Sequence, residues 1–148
     1  RWARLHTQLS PYLLRAAREY VDTGMPLVRH MSLVAPECTR SDQYLLGPDL
    51  LVAPVLEPGA RERVVELPPG RWVDLWRSAV YDQSSGGIST REPRVLPGPA
   101  VITLPAPLDE IPLLVRLGAV IPMLPPDVWS LARPRSTDDV HELRFARA

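Results

Sequence analysis

Only one cysteine, Cys38, occurs in the 148 residues. A single thiol closes no internal disulfide, which favours a reducing compartment such as the cytoplasm. Net charge is missing too. Seventeen basic and seventeen acidic side chains cancel, so nothing recommends nucleic acid or an anionic membrane as partner. No apolar run approaches the eighteen or so residues of a membrane-spanning helix. The three histidines, His6, His30 and His141, are widely separated, and no CxxC, HxxxH or HExxH spacing occurs, so no metal site is expected. No GxSxG, GxGxxG or GxxxxGK[ST] motif is present either. These absences argue against a serine-hydrolase elbow and against a phosphate-bearing cofactor, and none is expected. Glycine is scarce, 8 residues against 18 prolines, where proline ordinarily contributes about 5%.

What is present is apolar punctuation. The prolines alternate with strongly apolar runs, as they do between short strands rather than in a disordered tract. From Trp2 to Val21, Trp2, Leu5, Leu9, Tyr12, Leu13, Ala16, Ala17 and Tyr20 recur at helical spacing. Ser10-Pro11 either kinks this helix or starts a second one with Pro11 in its first position. Asp22-Thr23-Gly24 stops it, with Gly24 suited to a left-handed cap. Met25 to Val34 reads as a short buried strand, and residues 35–42 as a polar loop. Helix, tight turn and apolar strand together make the end of an α/β repeat.

Beyond Asp42 the helical period disappears. Leu50–Val55, Arg63–Leu67, Arg71–Trp76, Val101–Leu104, Pro112–Arg116 and Ala119–Pro122 read as strands. Pro68-Pro69-Gly70 reads as a tight turn and Ser84–Gly87 as a loop. Many short strands with regular turn signals indicate an antiparallel sandwich. The stretch from Asp138 to Arg147 is either one more edge strand or a frayed tail.

Glycoside hydrolysis takes two carboxyl groups, one on each side of the bond. The candidates are Asp42, Asp49, Asp74, Asp109 and Glu110, and each has an ordinary role open to it. Asp49 follows Gly47-Pro48 at a turn, Asp74 is placed on the solvent face of a strand, and Asp109-Glu110 lies in a loop. His30 is expected as a hydrogen-bonded core or rim residue, and Cys38 as an inert thiol in a loop or rim. Trp72 and Trp76, four apart on an expected strand, would share one face. Such a pair stacks on pyranose rings in sugar-binding modules, or fills a core. Core packing is preferred, and ring exposure discriminates the two.

Three stretches carry a resemblance. They are Gly24–Arg29 with Asp42–Val55, Leu67–Trp76, and Leu108–Pro122. In this order and spacing they resemble glycoside hydrolase family 31, the α-glucosidases and α-xylosidases. The resemblance implies a carboxy-terminal piece of such an enzyme. Residues 1–41 would end a (β/α)₈ catalytic barrel, 42–125 would form the β-sandwich C-terminal domain, and 126–148 an edge strand or tail. The fold would be mainly β, an antiparallel sandwich after a helix–strand remnant. It implies a parent enzyme that hydrolyses α-glycosidic bonds with retention and takes an oligosaccharide or α-glycoside as its partner. The family's catalytic aspartates lie on earlier barrel strands, and a WxDMNE-type nucleophile motif has no match here. No catalytic, substrate-binding or metal-binding residue is therefore assigned. The alternative is a non-catalytic carbohydrate-binding or structural β-module. The helix would lack barrel neighbours, so the piece is expected to fold poorly, and one starting at about Asp42 to fold better.

Overall fold

The computed structural model describes residues 2–128, 130–131 and 140–145. Two helices come first, α1 (Trp2–Gln8) and α2 (Ser10–Thr23). Only Leu9 separates them, and Pro11 occupies the second helical position, where a missing N–H costs nothing. Ser10 does not cap the second helix; its hydroxyl donates to the Thr7 carbonyl at 2.7 Å. Gly24 ends α2 in the left-handed region, as expected, its N–H donating to the Tyr20 carbonyl.

Among the described residues ten strands follow: β1 (Val28–His30), β2 (Tyr44–Leu46), β3 (Leu50–Val52), β4 (Glu62–Asp74), β5 (Ala79–Tyr81), β6 (Ile88–Thr90), β7 (Val95–Pro105), β8 (Leu113–Arg116), β9 (Val120–Met123) and β10 (His141–Arg144). A short helix, α3 (Leu75–Ser78), leads from β4 to β5. The main sheet runs β1-β2-β3-β8-β4-β7, and β10-β9 and β5-β6 form two small sheets. Every pairing is antiparallel. The chain is thus mainly β, with antiparallel sheets and few helices.

The main sheet is apolar on both faces, which explains why β3 and β8 read as unbroken apolar runs. Leu50, Val52, Val73, Leu113 and Val115 face one core, shared with Leu5 and Tyr12 of the helices and with Ile121, Met123 and Leu143 of the β10-β9 sheet. Leu45, Leu51, Ala53, Trp72 and Leu114 face a second core, closed by Met31, Ala35 and Cys38 and by Val65, Leu67 and Leu104 of a β4–β7 arm.

That arm corrects the expected turn at Pro68-Pro69-Gly70. The strand continues through it, and the register moves from Leu67↔Ala100 to Gly70↔Gly98. Two residues of β4 oppose one of β7, a bulge, and the bulge is where proline's lost N–H is tolerated. The added residue reverses the side-chain alternation. Val65 and Leu67 before it, and Trp72 after it, consequently face the same core. A Cβ on Gly98 would lie 2.0 Å from the Pro68 carbonyl oxygen, so only glycine fits opposite the bulge.

Three other expectations change. The strand expected over Met25–Val34 is three residues long, passes into a 3₁₀ turn at Met31–Leu33, and pairs antiparallel with β2. It stands at the end of the main sheet, beside β2. The strand expected over Arg71–Trp76 ends at Asp74. A start at Asp42 would strip Leu5 and Tyr12 from one core and Met31, Ala35 and Cys38 from the other, all of them buried. Of the uncertain final stretch, residues 141–144 form an edge strand paired with β9, while 138–139 and 146–147 lie outside the described residues.

Candidate functional site

One polar cluster joins α2 to the sheet. Tyr12 is fully buried. Its hydroxyl donates to the Leu46 carbonyl at 2.7 Å and accepts the Asp49 N–H at 3.0 Å, spanning the β2–β3 turn. Gly47 makes room for the ring, because a Cβ there would sit 2.5 Å from the phenolic oxygen. Arg15 lies 5.0 Å over the Tyr12 ring, pairs with Asp49 at 2.9 Å and donates to the Val120 carbonyl at 3.0 Å. Arg29 on β1, 5% exposed, pairs with Glu19 of α2 at 2.6 Å and donates to the Pro26 carbonyl. Burial pushes the Tyr12 phenol well above its ordinary range, with the Asp49 charge adding to it. Burial also raises Asp49, against the pull of Arg15, Arg116 and Arg29. Chemically this is a latch between helix and sheet: every polar atom named in it already has a protein partner.

The remaining carboxylates are held on separate elements. Asp42 pairs with Arg40 at 2.7 Å and with Arg63 at 2.8 Å, and chiefly the Arg40 hydrogen bond lowers its pKa to about 2. Asp74 is buried rather than solvent-facing, 3.6 Å from Arg94. Burial raises its pKa, opposed by Arg77 and Arg94. Its expected alternation fails because β4 turns into α3 right after it. Glu110 pairs with Arg77 at 2.9 Å, and Asp109 is exposed.

Trp72 and Trp76 do not share a face. Trp72 enters the second core and donates to the Pro68 carbonyl at 3.0 Å, under the Arg116 guanidinium at 4.6 Å. Trp76, carried on α3, enters the first core, donates to the Ile111 carbonyl at 2.7 Å and meets Trp2 edge-on. Both rings are buried, at 0% and 7% exposure, so the exposed sugar-stacking pair is absent. His30 is exposed at the rim and bonded through Nδ1 to Ser32. His6 and His141 are exposed. Cys38 is buried, and its thiol pKa is raised by burial and then by Glu66 and Glu37. Among the described residues no group of three His, Cys, Asp or Glu side chains could hold a metal.

A cleft of about 590 Å³ lies between the β5–β6 and β10–β9 sheets. Among its lining residues the one carboxylate is Glu142, paired with Arg144, and there is no Phe, Tyr or Trp ring. Two contacts escaped the sequence reading altogether. The Gln43 amide donates to the Glu66 carbonyl at 2.6 Å and accepts the Glu66 N–H at 2.9 Å, standing in for a strand beside β4. Gln8, buried, donates to the Gly86 carbonyl at 2.8 Å and ties the 82–87 loop to α1. Neither amide carries a local sequence signal, because the partners lie 23 and 78 residues away.

A family model described as the glycosyl hydrolase family 31 C-terminal domain matches residues 24–121. An isomaltosyltransferase of Sporosarcina globispora is 31% identical over 127 residues, 83% of this chain and 10% of that protein. A family 31 dextranase of Flavobacterium johnsoniae, solved with isomaltotriose, superposes with a TM-score of 0.67 at 36% identity, over 82% of this chain and 14% of that one. A family 31 α-xylosidase of Xanthomonas citri gives 0.65 at 30% identity, over 81% and 12%. The chain thus spans only about a tenth to a seventh of these relatives.

Proposed function

Since this chain belongs to glycosyl hydrolase family 31 and matches its C-terminal domain, we propose that it is the structural β-domain of a retaining enzyme acting on α-glucosides or α-xylosides. In this reading α1 and α2 close the catalytic barrel, and the sheet from β1 onward is the domain behind it. The parent reaction passes through a covalent glycosyl-aspartate formed on carboxylates outside this sequence. The chain's own part is mechanical: the latch of Tyr12, Arg15 and Asp49 fixes the sheet on the helices, and so holds the end of the barrel. Whether water or a second sugar receives the glycosyl group is decided at the barrel mouth, and relatives of both kinds, a dextranase and an isomaltosyltransferase, share this domain.

The observation carrying the proposal is the match over residues 24–121, joined to the pairing of Asp42, Asp49, Asp74 and Glu110 each with an arginine. Retaining catalysis requires two carboxyl groups about 5–5.5 Å apart in a shared pocket. The test compares release of nitrophenol from nitrophenyl α-glucoside and α-xyloside by the natural gene product and by residues 1–148 alone. The gene product is expected to be active, and the 148-residue chain to match buffer. Activity of the chain that disappears in Asp49→Ala or Asp109→Ala would overturn the structural role. A coding sequence with no WxDMNE-like segment upstream of Arg1 would overturn the hydrolase reading.

A further inference from the structure

The cleft between the β5–β6 and β10–β9 sheets holds acceptors that the fold leaves unused. Gln8 lines it and is only 2% exposed. Its Nε2 donates to the Gly86 carbonyl. That bond fixes which way round the amide sits, since two carbonyl-type oxygens cannot bond each other. Its Oε1 has no hydrogen-bond partner among the described residues and is not sealed from solvent. An amide held by one end in a nearly buried position presents the other end as a preset acceptor. At the rim, Arg144 Nε and Nη2 both bond the same Glu142 oxygen, Oε2, which leaves Oε1 of that carboxylate open. The exposed Thr90 hydroxyl lies on the Ile88 side of β6 by strand alternation and also bonds nothing among the described residues. Ile88 and Leu143 supply an apolar wall.

We propose that this cleft is a second, non-catalytic saccharide site, which holds a stretch of the α-glycan on which the parent enzyme acts. The inference rests on the reading given above in one respect, that the parent takes α-glucosides or α-xylosides. Its volume, about 590 Å³, falls within the roughly 300–1,000 Å³ of small-molecule sites. Among the described lining residues the full charges are Glu142 and Arg144, and they cancel, so neither a phosphate nor an ammonium group is favoured. The open groups are acceptors beside a hydroxyl and a guanidinium, over aliphatic carbon. A sugar matches that set, with hydroxyl donors and acceptors on its edge and C–H groups on its face. No described lining residue offers an aromatic ring to stack on, so one sugar unit binds weakly, with Kd on the order of 1 mM.

The test is electrophoresis of the natural, full-length gene product through native gels containing dextran, glycogen or xyloglucan, polymers whose repeated units reinforce weak binding. Glu142→Ala/Arg144→Ala keeps the net charge and removes the rim pair. Thr90→Val keeps the strand residue β-branched and removes the hydroxyl. Glu57→Ala/Arg61→Ala, an exposed neutral pair outside the cleft, is the control. At least one polymer is expected to retard the wild type and the control equally, and both cleft variants at least threefold less. Nitrophenyl glycoside kcat/KM should be the same in all four proteins. Unchanged retardation of both cleft variants would overturn the proposal, as would a wild type that no polymer retards. A parallel loss of nitrophenyl activity would overturn it too, by placing the glycan at the catalytic centre. Each of these results in an active enzyme sinks this inference alone. Cleft-dependent retardation of a protein with no glycosidase activity sinks the hydrolase reading alone.

Discussion

Removing one oxygen from Tyr12 tests the latch most directly. Tyr12→Phe keeps the buried ring and deletes the hydroxyl that serves both the Leu46 carbonyl and the Asp49 N–H. Each backbone group left without a partner costs about 1–3 kcal/mol, so the pair costs roughly 2–6 kcal/mol. With a urea slope of about 2 kcal/mol per molar, the unfolding midpoint falls by about 1–3 M. Tyr20→Phe, at a position 56% exposed, is the control and should shift stability by less than about 0.5 kcal/mol. The assay is urea unfolding followed by tryptophan fluorescence. The pH dependence carries a sign. Burial raises the folded phenol above its ordinary value, so the contribution is complete below about pH 10 and is lost as pH rises beyond it. The gap between wild type and Tyr12→Phe should therefore be constant from about pH 6 to 9. A shift equal to that of the Tyr20 control, or one that varies over this range, would refute the reasoning.

Gln43→Ala should cost about 2–6 kcal/mol in thermal or urea unfolding, because it strands the Glu66 N–H and carbonyl. Gln43→Glu should not rescue it, since a carboxylate cannot donate to that carbonyl. Asp42 has a depressed folded pKa of about 2. Its contribution is present above about pH 4 and lost as pH falls toward 2, and Asp42→Asn should remove about 1–2 kcal/mol at neutral pH and flatten the acid limb of a melting curve. A chain of residues 42–148 should be less soluble and unfold less sharply than residues 1–148, in gel filtration and thermal melts, because five buried side chains leave its two cores. Equal or better behaviour of the shorter chain would contradict the packing described here.

Local chemistry and the order of motifs were enough to read the helical region, the stop at Gly24, the apolar strands β3, β8 and β9, and the family resemblance. Each of these depends on neighbours within a few residues: apolar spacing, a left-handed cap, a β-branched run between prolines. The errors came where a distant partner decides. Pro68-Pro69-Gly70 looks like a turn because two residues lack N–H groups, and only β7 across the ladder, with Gly98 against the Pro68 carbonyl, makes it a bulge. Trp72 and Trp76 look like one face until the helix after Asp74 sends them to opposite cores. Asp74 alternates like a solvent residue and is buried by the same turn. Nothing near Gln43 in the chain indicates that its amide completes a strand 23 residues away. The sequence alone determined the class of fold and the family, because those rest on short-range periodicity and motif order. Tertiary structure decided which polar groups are latches and which apolar faces remain open, because long-range pairing assigns each side chain its partner.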